Sequence, residues 1–311
     1  MEIICPLCES KKVFTRRTFS IASVRKDWHD TLSFDPFLDF PQLDETLGQH
    51  RCGICALEFF SPQLPGNAGF YERLSRNNTW YYEEDKWEFD EAIQRLSKNQ
   101  PIETLLEIGC GKGFFLQKVF NFSKTLGIDI NKDAIETCKN KGLNVSLERI
   151  ESIQQKFDTI VSFEVLEHIP DVKEFIQSVC NLLLPGGTLI LAVPNPESYM
   201  REFNYILLDM PPHHLTKWSK RTFRHVASQF GLEIVGMADE PLRYVHYQYY
   251  LQMLASKYQS FYGGGTLSQK IKLRLRNILM PILDEIIVPC SYQYHKQVLL
   301  GQTHLVEFRK L

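Results

Sequence analysis

The stretch from Leu105 to Leu116 constrains the fold of this chain more than any other part of the sequence. It begins with apolar residues, as a buried parallel strand does, and then carries Gly109, Gly111 and Gly113 at alternate positions. Apolar residues at helical spacing follow. A glycine permits a sharp turn and lets a ligand lie against the backbone. The stretch therefore predicts a strand, a tight turn and a helix whose free N–H groups face a ligand.

A strand that ends in an acid follows the glycine loop. Asp129 stands at the end of the apolar stretch Thr125–Ile130, 20 positions after Gly109. A carboxylate at the tip of this strand can accept hydrogen bonds from both ribose hydroxyls of an adenosine. The dinucleotide fingerprint would place a third glycine at Phe114, where this chain has none. The two features predict an adenosine-containing ligand, and at this point NAD and S-adenosylmethionine (SAM) both stay open.

Two further motifs narrow the choice. The string Glu-Val-Leu-Glu-His at residues 164–168 follows the predicted fourth strand, Phe157–Phe163. The string Leu-Pro-Gly-Gly at residues 184–187 forms a turn before an apolar fifth strand. With the glycine loop and Asp129, these motifs occur in the order and at the spacing found in class I SAM-dependent methyltransferases. Residues 101–240 therefore resemble that family.

The resemblance implies a mixed α/β fold with a Rossmann-like sheet of seven strands. The last strand, expected at Thr303–Phe308, would be antiparallel, and a helical insertion would precede it. SAM is the implied cofactor. An aromatic stretch before the first strand, Phe70–Leu96, is predicted to be helical, and its Tyr81, or alternatively Tyr82 or Trp87, would cover SAM. The expected cofactor-binding residues are Glu107, Gly109, Cys110, Gly111, Gly113, Asp129, Ile130, Phe163, Glu164 and Tyr81.

Two Cys-x-x-Cys pairs near the N-terminus predict a zinc ribbon. Cys5 with Cys8 and Cys52 with Cys55 each place two thiolates on a tight turn, and two such turns form the tetrahedral S₄ site that structural zinc prefers. Residues 13–40 between the pairs are expected to form a short hairpin and a loop. Four unrelated buried cysteines are the alternative.

Three histidines are candidates for the catalytic base. His213 and His214 lie in a proline-bounded loop that follows the fifth strand, and His168 ends the Glu-Val-Leu-Glu-His string. An imidazole can take a proton from an acceptor hydroxyl near neutral pH. The alternative is that His168 and His213 make only structural hydrogen bonds.

A second metal site is a further hypothesis. If the 164–168 segment is helical, Glu164, Glu167 and His168 fall on one face, and His214 could join them. Carboxylates with imidazoles suit Mg²⁺ or another divalent ion. The arrangement is similar to that in ubiquinone-pathway O-methyltransferases and in RNA 3′-terminal 2′-O-methyltransferases.

The motifs divide the chain of 311 residues into four segments. They are a zinc ribbon with linker (1–69), the aromatic segment (70–100), the SAM-binding domain (101–240 with 299–311) and an insertion (241–298). The insertion could cap the substrate, form a homodimer contact, or lie near a membrane or a phosphate-bearing acceptor. Its glycine hinge and basic run, at residues 263–276, favour no single role.

Composition excludes some classes of partner and compartment. A net charge of −2 argues against a dedicated DNA-binding protein, although it leaves RNA open. No apolar run reaches about 18 residues, so we expect no transmembrane segment. The N-terminus lacks the features of a signal peptide, and a cytoplasmic location with reduced thiols follows.

The sequence thus predicts a SAM-dependent methyltransferase that acts on a hydroxyl of a sugar, a polysaccharide precursor or another small molecule. The preferred acceptor comes from a resemblance in layout to bacterial methyltransferases with a cysteine-pair ribbon and a Pro-His-His loop. An RNA methyltransferase is one alternative. A non-catalytic SAM-binding or zinc-ribbon interaction protein is another.

Overall fold

The computed structural model describes residues 2–40, 43, 46–98, 101–121, 124–261 and 288–311. Its strands are β1 (Val13–Ser20), β2 (Thr46–Cys52), β3 (Glu58–Ser61), β4 (Thr104–Ile108), β5 (Lys124–Ile128), β6 (Val145–Ser146), β7 (Phe157–Phe163), β8 (Leu183–Pro194), β9 (Thr216–Lys217), β10 (Leu232–Pro241) and β11 (Leu300–Lys310). Its α-helices are α1 (Ile21–Leu32), α2 (Ala68–Asn77), α3 (Trp87–Leu96), α4 (Phe114–Val119), α5 (Lys132–Asn140), α6 (Val172–Leu182), α7 (Lys220–Phe230), α8 (Tyr244–Phe261) and α9 (Val288–His295).

Seven strands form one sheet in the order β10–β11–β8–β7–β4–β5–β6. The pairs from β8 to β6 are parallel, and the last strands are antiparallel. Leu105 and Leu106, neighbours in β4, are fully buried in separate apolar clusters. Successive side chains of a strand point to opposite faces, so both faces of this sheet are covered. The predicted Rossmann-like fold is confirmed, including its antiparallel last strand.

Helix boundaries follow local capping chemistry. The Asn131 side chain accepts a hydrogen bond from the backbone N–H of Ala134 at the start of α5. Ser219 and Thr222 form a reciprocal capping box at the start of α7, and Gly231 ends that helix in the left-handed region. These caps fix the points at which the chain leaves the carboxyl ends of β5 and β9.

A second sheet has the cysteine pairs at its strand ends and was only partly expected. Its order is β1–β2–β3–β9, with antiparallel pairing throughout. The expected hairpin within residues 13–40 was wrong, because β1 pairs with β2 and α1 lies between them in the chain. The apolar side of α1 buries Ile21, Val24 and Trp28 at helical spacing. The sequence indicated neither this helix nor the contribution of β9.

The aromatic segment is not one continuous helix. It forms α2, a 3₁₀ turn at Thr79–Tyr81 and α3, with extended residues between them. Helix α2 ends where Asn78 adopts an extended backbone conformation, and the Asn78 side chain donates a hydrogen bond back to the carbonyl of Leu74. The break places Tyr81 and Tyr82 outside regular helix, on a connection between α2 and α3.

The chain divides into two compact units. The first comprises Met1–Pro194, Asn204–Ala238 and His304–Leu311, and the second comprises Asn195–Phe203 and Asp239–Thr303. The second unit includes α8 and α9, and Tyr247 donates a hydrogen bond to Ser291 at 2.9 Å. Residues 262–287, which contain the predicted glycine hinge and basic run, lie outside the described residues. No helix in the described ranges has both the length and the apolar character that a membrane crossing needs.

Candidate active site

The glycine loop between β4 and α4 has the backbone conformation that its sequence demands. Gly109, Gly111 and Gly113 all have positive φ angles, of 77°, 50° and 75°. A Cβ atom on Gly109 would lie 2.2 Å from Val165, so no larger residue fits without displacing the chain after β7. The N–H groups of Gly109 and Cys110 donate to the carbonyl of Ile128. The loop is therefore tied to the carboxyl end of β5, where Asp129 follows.

Asp129 organises the loop as well as its own strand end. One carboxylate oxygen accepts a hydrogen bond from the Gly111 N–H at 2.8 Å, and the other accepts from the Asn131 N–H at 2.7 Å. Burial raises the pKa of this carboxyl, although the backbone hydrogen bonds oppose the shift. Each carboxylate oxygen has further lone-pair capacity for ribose hydroxyls.

Glu107 supplies a second acid beneath the loop. It is the last residue but one of β4, is 2% exposed, and its Oε2 atom has no hydrogen-bond partner among the described residues. Burial raises the pKa of this carboxyl well above its usual range. A buried oxygen without a partner is costly unless a ligand satisfies it. Together with the glycine cradle and Asp129, Glu107 therefore fits SAM.

The remaining residues expected at the cofactor occupy several environments. Cys110 is buried within the glycine loop, and Ile130 is 41% exposed beside Asp129. Phe163 packs against Phe89 and Phe115 in the apolar core. Glu164 has a φ of 54°, and its backbone N–H donates to Ala192.

Tyr82, one of the alternatives to Tyr81, lies closest to the loop. A Cβ atom on Gly111 would be 2.7 Å from the Tyr82 ring, and Asn131 donates a hydrogen bond to the Tyr82 hydroxyl at 3.2 Å. Tyr81 instead packs against Tyr82 and His213, with ring centroids 5.0 and 5.9 Å away. The Tyr82 ring therefore covers the glycine loop, and the Tyr81 ring contacts His213.

Three histidines from two segments meet beside Glu167. His168 ends a 3₁₀ turn at Leu166–His168, and His213 and His214 follow a second 3₁₀ turn at Leu207–Asp209. One ring nitrogen of each lies within 4.8 Å of the others. The rings of His213 and His214 are stacked, with centroids 4.4 Å apart. We call these three residues and Glu167 the histidine cluster.

The backbone fixes which ring nitrogens carry protons. Nδ1 of His213 is 2.7 Å from the carbonyl of Leu208, and Nδ1 of His168 is hydrogen-bonded to the carbonyl of His213. A carbonyl only accepts, so both Nδ1 atoms donate, and the Nε2 atom of His213, which has no hydrogen-bond partner among the described residues, keeps a free lone pair. Burial lowers the pKa of His168 to about 3 and that of His213 well below its usual range. Both rings are neutral near pH 7.

Asp209 and Lys217 adjoin the histidine cluster, and neither was expected from the sequence. Nδ1 of His214 lies 3.0 Å from Asp209, which also forms an ion pair with Lys217. Burial raises the pKa of Asp209, but Lys217 and His214 outweigh burial and bring it to about 2. An ionised Asp209 holds the Nδ1–H of His214, so that Nε2 is the free base. The only signal in the sequence was an acid five positions before the second histidine.

Glu167 lies at the centre of the cluster. It is fully buried, its Oε1 atom is 3.7 Å from His168 Nε2 and 3.9 Å from His214 Nε2, and neither carboxylate oxygen has a hydrogen-bond partner among the described residues. Burial raises the pKa of this carboxyl, and the charge of Glu164 adds to the rise. The hydroxyl of Tyr71 is also buried and has no hydrogen-bond partner among the described residues. The ring centroids of Tyr71 and His168 are 5.4 Å apart. The cluster could therefore bind a ligand with hydroxyl groups.

The 164–168 segment does not form the helical face proposed for Mg²⁺. Only Leu166–His168 is helical, as a 3₁₀ turn, and Glu164 has a left-handed backbone conformation. The group in the described chain that could hold a metal here is His168, His213 and His214, and it does not include Glu164. Imidazoles suit zinc or iron better than magnesium, which prefers oxygen.

The four cysteines of the predicted ribbon form a second cluster, which we call the cysteine cluster. The sulfur atoms of Cys5 and Cys55 are 3.5 Å apart, as are those of Cys8 and Cys52. All four lie within 4.8 Å of one another. Three are buried and Cys8 is half-buried. This geometry could hold a tetrahedral zinc ion.

The sheet topology, the glycine loop and Asp129 define the class I SAM-dependent methyltransferase fold. The methyltransferase domain family matches residues 80–236, slightly more than half of the chain. A ubiquinone biosynthesis O-methyltransferase of Nitrosomonas europaea is 30% identical over 179 residues, covering 50% of this chain and 74% of the relative. The chain therefore belongs to the methyltransferase domain family.

A second curated relative matches over a smaller share of its own length, and a solved structure matches at lower identity. A mitochondrial ubiquinone biosynthesis O-methyltransferase of Dictyostelium discoideum is 28% identical over 162 residues, which cover 42% of this chain and half of the relative. A solved SAM-dependent methyltransferase from Archaeoglobus fulgidus has a TM-score of 0.44 and 18% identity, covering 71% of this chain and 94% of that chain.

Acid should destabilise the protein through its buried histidines. The folded-state pKa values of His168 and His213 are depressed, so the unfolded chain takes up protons below pH about 6.5 that the folded chain does not. Stability present above pH 6.5 is therefore lost as the pH falls, by about 1.4 kcal/mol per pH unit for each histidine. Denaturant unfolding between pH 7 and pH 5 measures the slope.

Substitution separates this effect from general acid sensitivity. His213→Asn keeps a donor for the Leu208 carbonyl, and it should flatten the slope by about one proton. His29→Asn is the matched control, because its side chain is 72% exposed, and its slope should equal that of the parent. Identical slopes for parent and His213→Asn would show that His213 does not resist protonation in the folded state.

Proposed function

We propose that this protein transfers the methyl group of SAM to a hydroxyl of a small-molecule acceptor. The observation that carries the proposal is the pair formed by His214 and the ionised Asp209, 3.0 Å apart beside a buried carboxylate. A hydroxyl must lose its proton as it attacks, and an imidazole held by a carboxylate is suited to remove it. Amine acceptors do not need such a base to the same degree.

Each part of the site has a role in this proposal. SAM, when bound, supplies a methyl group on a positively charged sulfur. Asp129 would accept hydrogen bonds from the ribose hydroxyls of SAM, and the glycine loop would lie against the cofactor. Glu107 would accept a hydrogen bond from a polar group of SAM. His214 would accept the proton of the attacking hydroxyl through Nε2, while Asp209 holds its ring. In-line attack needs little beyond this positioning.

The proposed class of methyl acceptor rests on buried atoms of the histidine cluster that lack hydrogen-bond donors. Glu167 and the Nε2 atom of His213 are buried acceptors without hydrogen-bond partners among the described residues. A ligand with neighbouring hydroxyls would satisfy both, and the rings of Tyr71 and Tyr81 would flank it. A sugar or a polysaccharide precursor, the acceptor expected from sequence, has this chemistry.

A second candidate acceptor is favoured by the comparisons. The matched relatives are O-methyltransferases of ubiquinone biosynthesis. A hydroxyl on a ubiquinone precursor would use the same base. The cytoplasmic location stays a prediction, and one of these relatives is mitochondrial.

Acceptor capture tests the proposal. The purified protein is incubated with methyl-labelled SAM and a cell extract, which is then divided into glycan, small-molecule, quinone-lipid, RNA and protein fractions. Alkali-stable label on oxygen in the glycan or small-molecule fraction is the expected result. Label in the quinone-lipid fraction favours the second candidate, and label in RNA or protein overturns both.

A metal ion in the histidine cluster is the competing account of the same residues. Under that account, chelation would abolish transfer, and metal analysis would find one equivalent beyond the zinc of the cysteine cluster. We expect one equivalent of zinc, which stays bound to the cysteine cluster through a brief treatment with EDTA, and unchanged transfer after that treatment. A second equivalent whose removal stops transfer would replace the base mechanism by metal activation of the hydroxyl.

A further inference from the structure

The cysteine cluster and the loop that carries His214 adjoin strands of the same sheet. Strand β3 begins three residues after Cys55 and pairs with β9 through Phe59 opposite Thr216. The N–H of Phe60 also donates to the carbonyl of Leu215 at 3.0 Å. Leu215 is the residue directly after His214, so the backbone next to the base is held by the strand next to the cysteines.

The same loop is held at two further points. Beyond β3, the N–H of Gly66 donates to the carbonyl of Pro212 at 2.9 Å. On the other side, the N–H of Leu215 donates to the carbonyl of Glu167 at 2.7 Å. Residues 212–215 therefore lie between the segment that leaves the cysteine cluster and the backbone of the buried carboxylate.

A side-chain connection follows the same route. Lys217 belongs to β9 and pairs with Asp209, which holds the ring of His214. If β9 lost its partner strand, Lys217 would be displaced together with the ionised carboxylate that it faces. The orientation of the base thus depends on the pairing of β3 with β9.

The cysteine cluster is built into the core of its unit rather than attached to it. Cys5, Cys52 and Cys55 are buried in the same apolar cluster as Trp218 and Phe223, which flank the start of α7. Backbone carbonyls of the two cysteine turns also accept hydrogen bonds from α7, from Arg221 to Ile54 and from Gln229 to Leu7. An independent binding module would have an apolar core of its own, separate from the residues around α7.

We propose that the cysteine cluster, with zinc bound, is a positioning element for the histidine loop, acting through β3 and β9 on the placement of His214. The role of His214 rests on the proposed function, but the coupling of the two clusters does not. A displacement of about 1 Å in a reacting group can lower a rate by about 100-fold. Zinc occupancy should therefore control acceptor turnover, whereas the SAM site on β4 and β5 does not depend on it.

The variants change one zinc ligand, Cys8, which is half-buried. Cys8→Ser weakens zinc binding, whereas Cys8→His keeps a Cys₃His set that zinc accepts. Both full-length proteins are titrated with zinc, and SAM affinity is measured by calorimetry at each occupancy. Hydrogen exchange is followed for peptides covering residues 212–217 and, as an internal reference, residues 104–108.

Hydrogen exchange tests the coupling without a known acceptor. We expect zinc-poor Cys8→Ser to lose protection at 212–217 by at least about tenfold, with 104–108 and SAM affinity within about twofold of the parent. Cys8→His and added zinc should restore protection. If protection is lost equally in both segments and SAM affinity falls with it, the zinc merely stabilises the fold and the proposal is wrong. Unchanged protection at 212–217 also overturns it.

Turnover is then measured with labelled SAM and whichever extract fraction accepts label from the parent. Transfer should fall by about 30-fold or more in zinc-poor Cys8→Ser and recover with zinc, while SAM affinity stays constant. Transfer that ignores zinc occupancy contradicts the coupling. If the parent labels no fraction, the proposed function fails, whereas the exchange result still decides the coupling.

Discussion

Replacing His214 by asparagine should lower kcat by about two to four orders of magnitude and leave SAM affinity within about twofold. The asparagine amide can still donate to Asp209 as Nδ1 of the imidazole does, so the variant removes the Nε2 base and little else. Initial rates at saturating SAM, with the acceptor found by label capture, measure the effect. Calorimetry with SAM gives the affinity.

Four further variants, one of them a control, decide which histidine acts as the base. His29→Asn, at an exposed site, should match the parent. Asp209→Asn should lower kcat by about 10- to 100-fold with a smaller change in KM. The variant no longer holds the His214 ring in place, but Nε2 of His214 is still present as the base. Asp209→Glu should recover part of the rate. If His214→Asn keeps more than about a tenth of the parent kcat while His168→Asn is inactive, the base has been assigned to the wrong residue.

The second large effect is expected at Asp129. Asp129→Asn should weaken SAM binding by about 10- to 150-fold, the equivalent of one hydrogen bond to a charged group. Its carboxylate accepts from two backbone N–H groups, and an amide can accept only through its single oxygen. One of these N–H groups would then face the NH₂ group of the asparagine. The backbone around the glycine loop would lose a hydrogen bond, and the ribose of SAM would lose an acceptor.

The matched control is Glu136→Gln, in the helix that follows Asp129. Its side chain is 57% exposed, and its removal changes net charge by the same amount. SAM affinity should be unchanged in this variant. An affinity for Asp129→Asn within about threefold of the parent would falsify the assignment of Asp129 to the cofactor.

Features encoded in contiguous sequence were the predictable ones. The glycine loop, Asp129 and the strands β4, β5, β7 and β8 follow from local apolar runs and from residues with special backbone freedom. The four cysteines were also predictable, because thiolate pairs on tight turns have few other uses in a reduced protein. In each case a short segment carries its own physical reason.

Contacts between distant segments were not predictable in the same way. Asp209 matters because of where Lys217 and His214 place their side chains, and Tyr71 matters because α2 brings it to His168. The aromatic segment resembles one helix in sequence because its apolar residues have helical spacing on both sides of the break. Helix α1 was not predicted, because the position of its residues between the cysteine pairs favoured a hairpin.

The pairing of β3 with β9 also has a consequence for folding during synthesis on the ribosome. Strand β3 ends at Ser61, and its partner residues, Thr216 and Lys217, follow only after more than 150 further residues have been added. At about 5 to 20 residues per second, the ribosome needs roughly 8 to 30 s to reach them. During that interval one edge of β3 has unpaired backbone groups and can join a foreign strand. Nascent chains stalled between residues 100 and 200 should therefore be the most prone to aggregate.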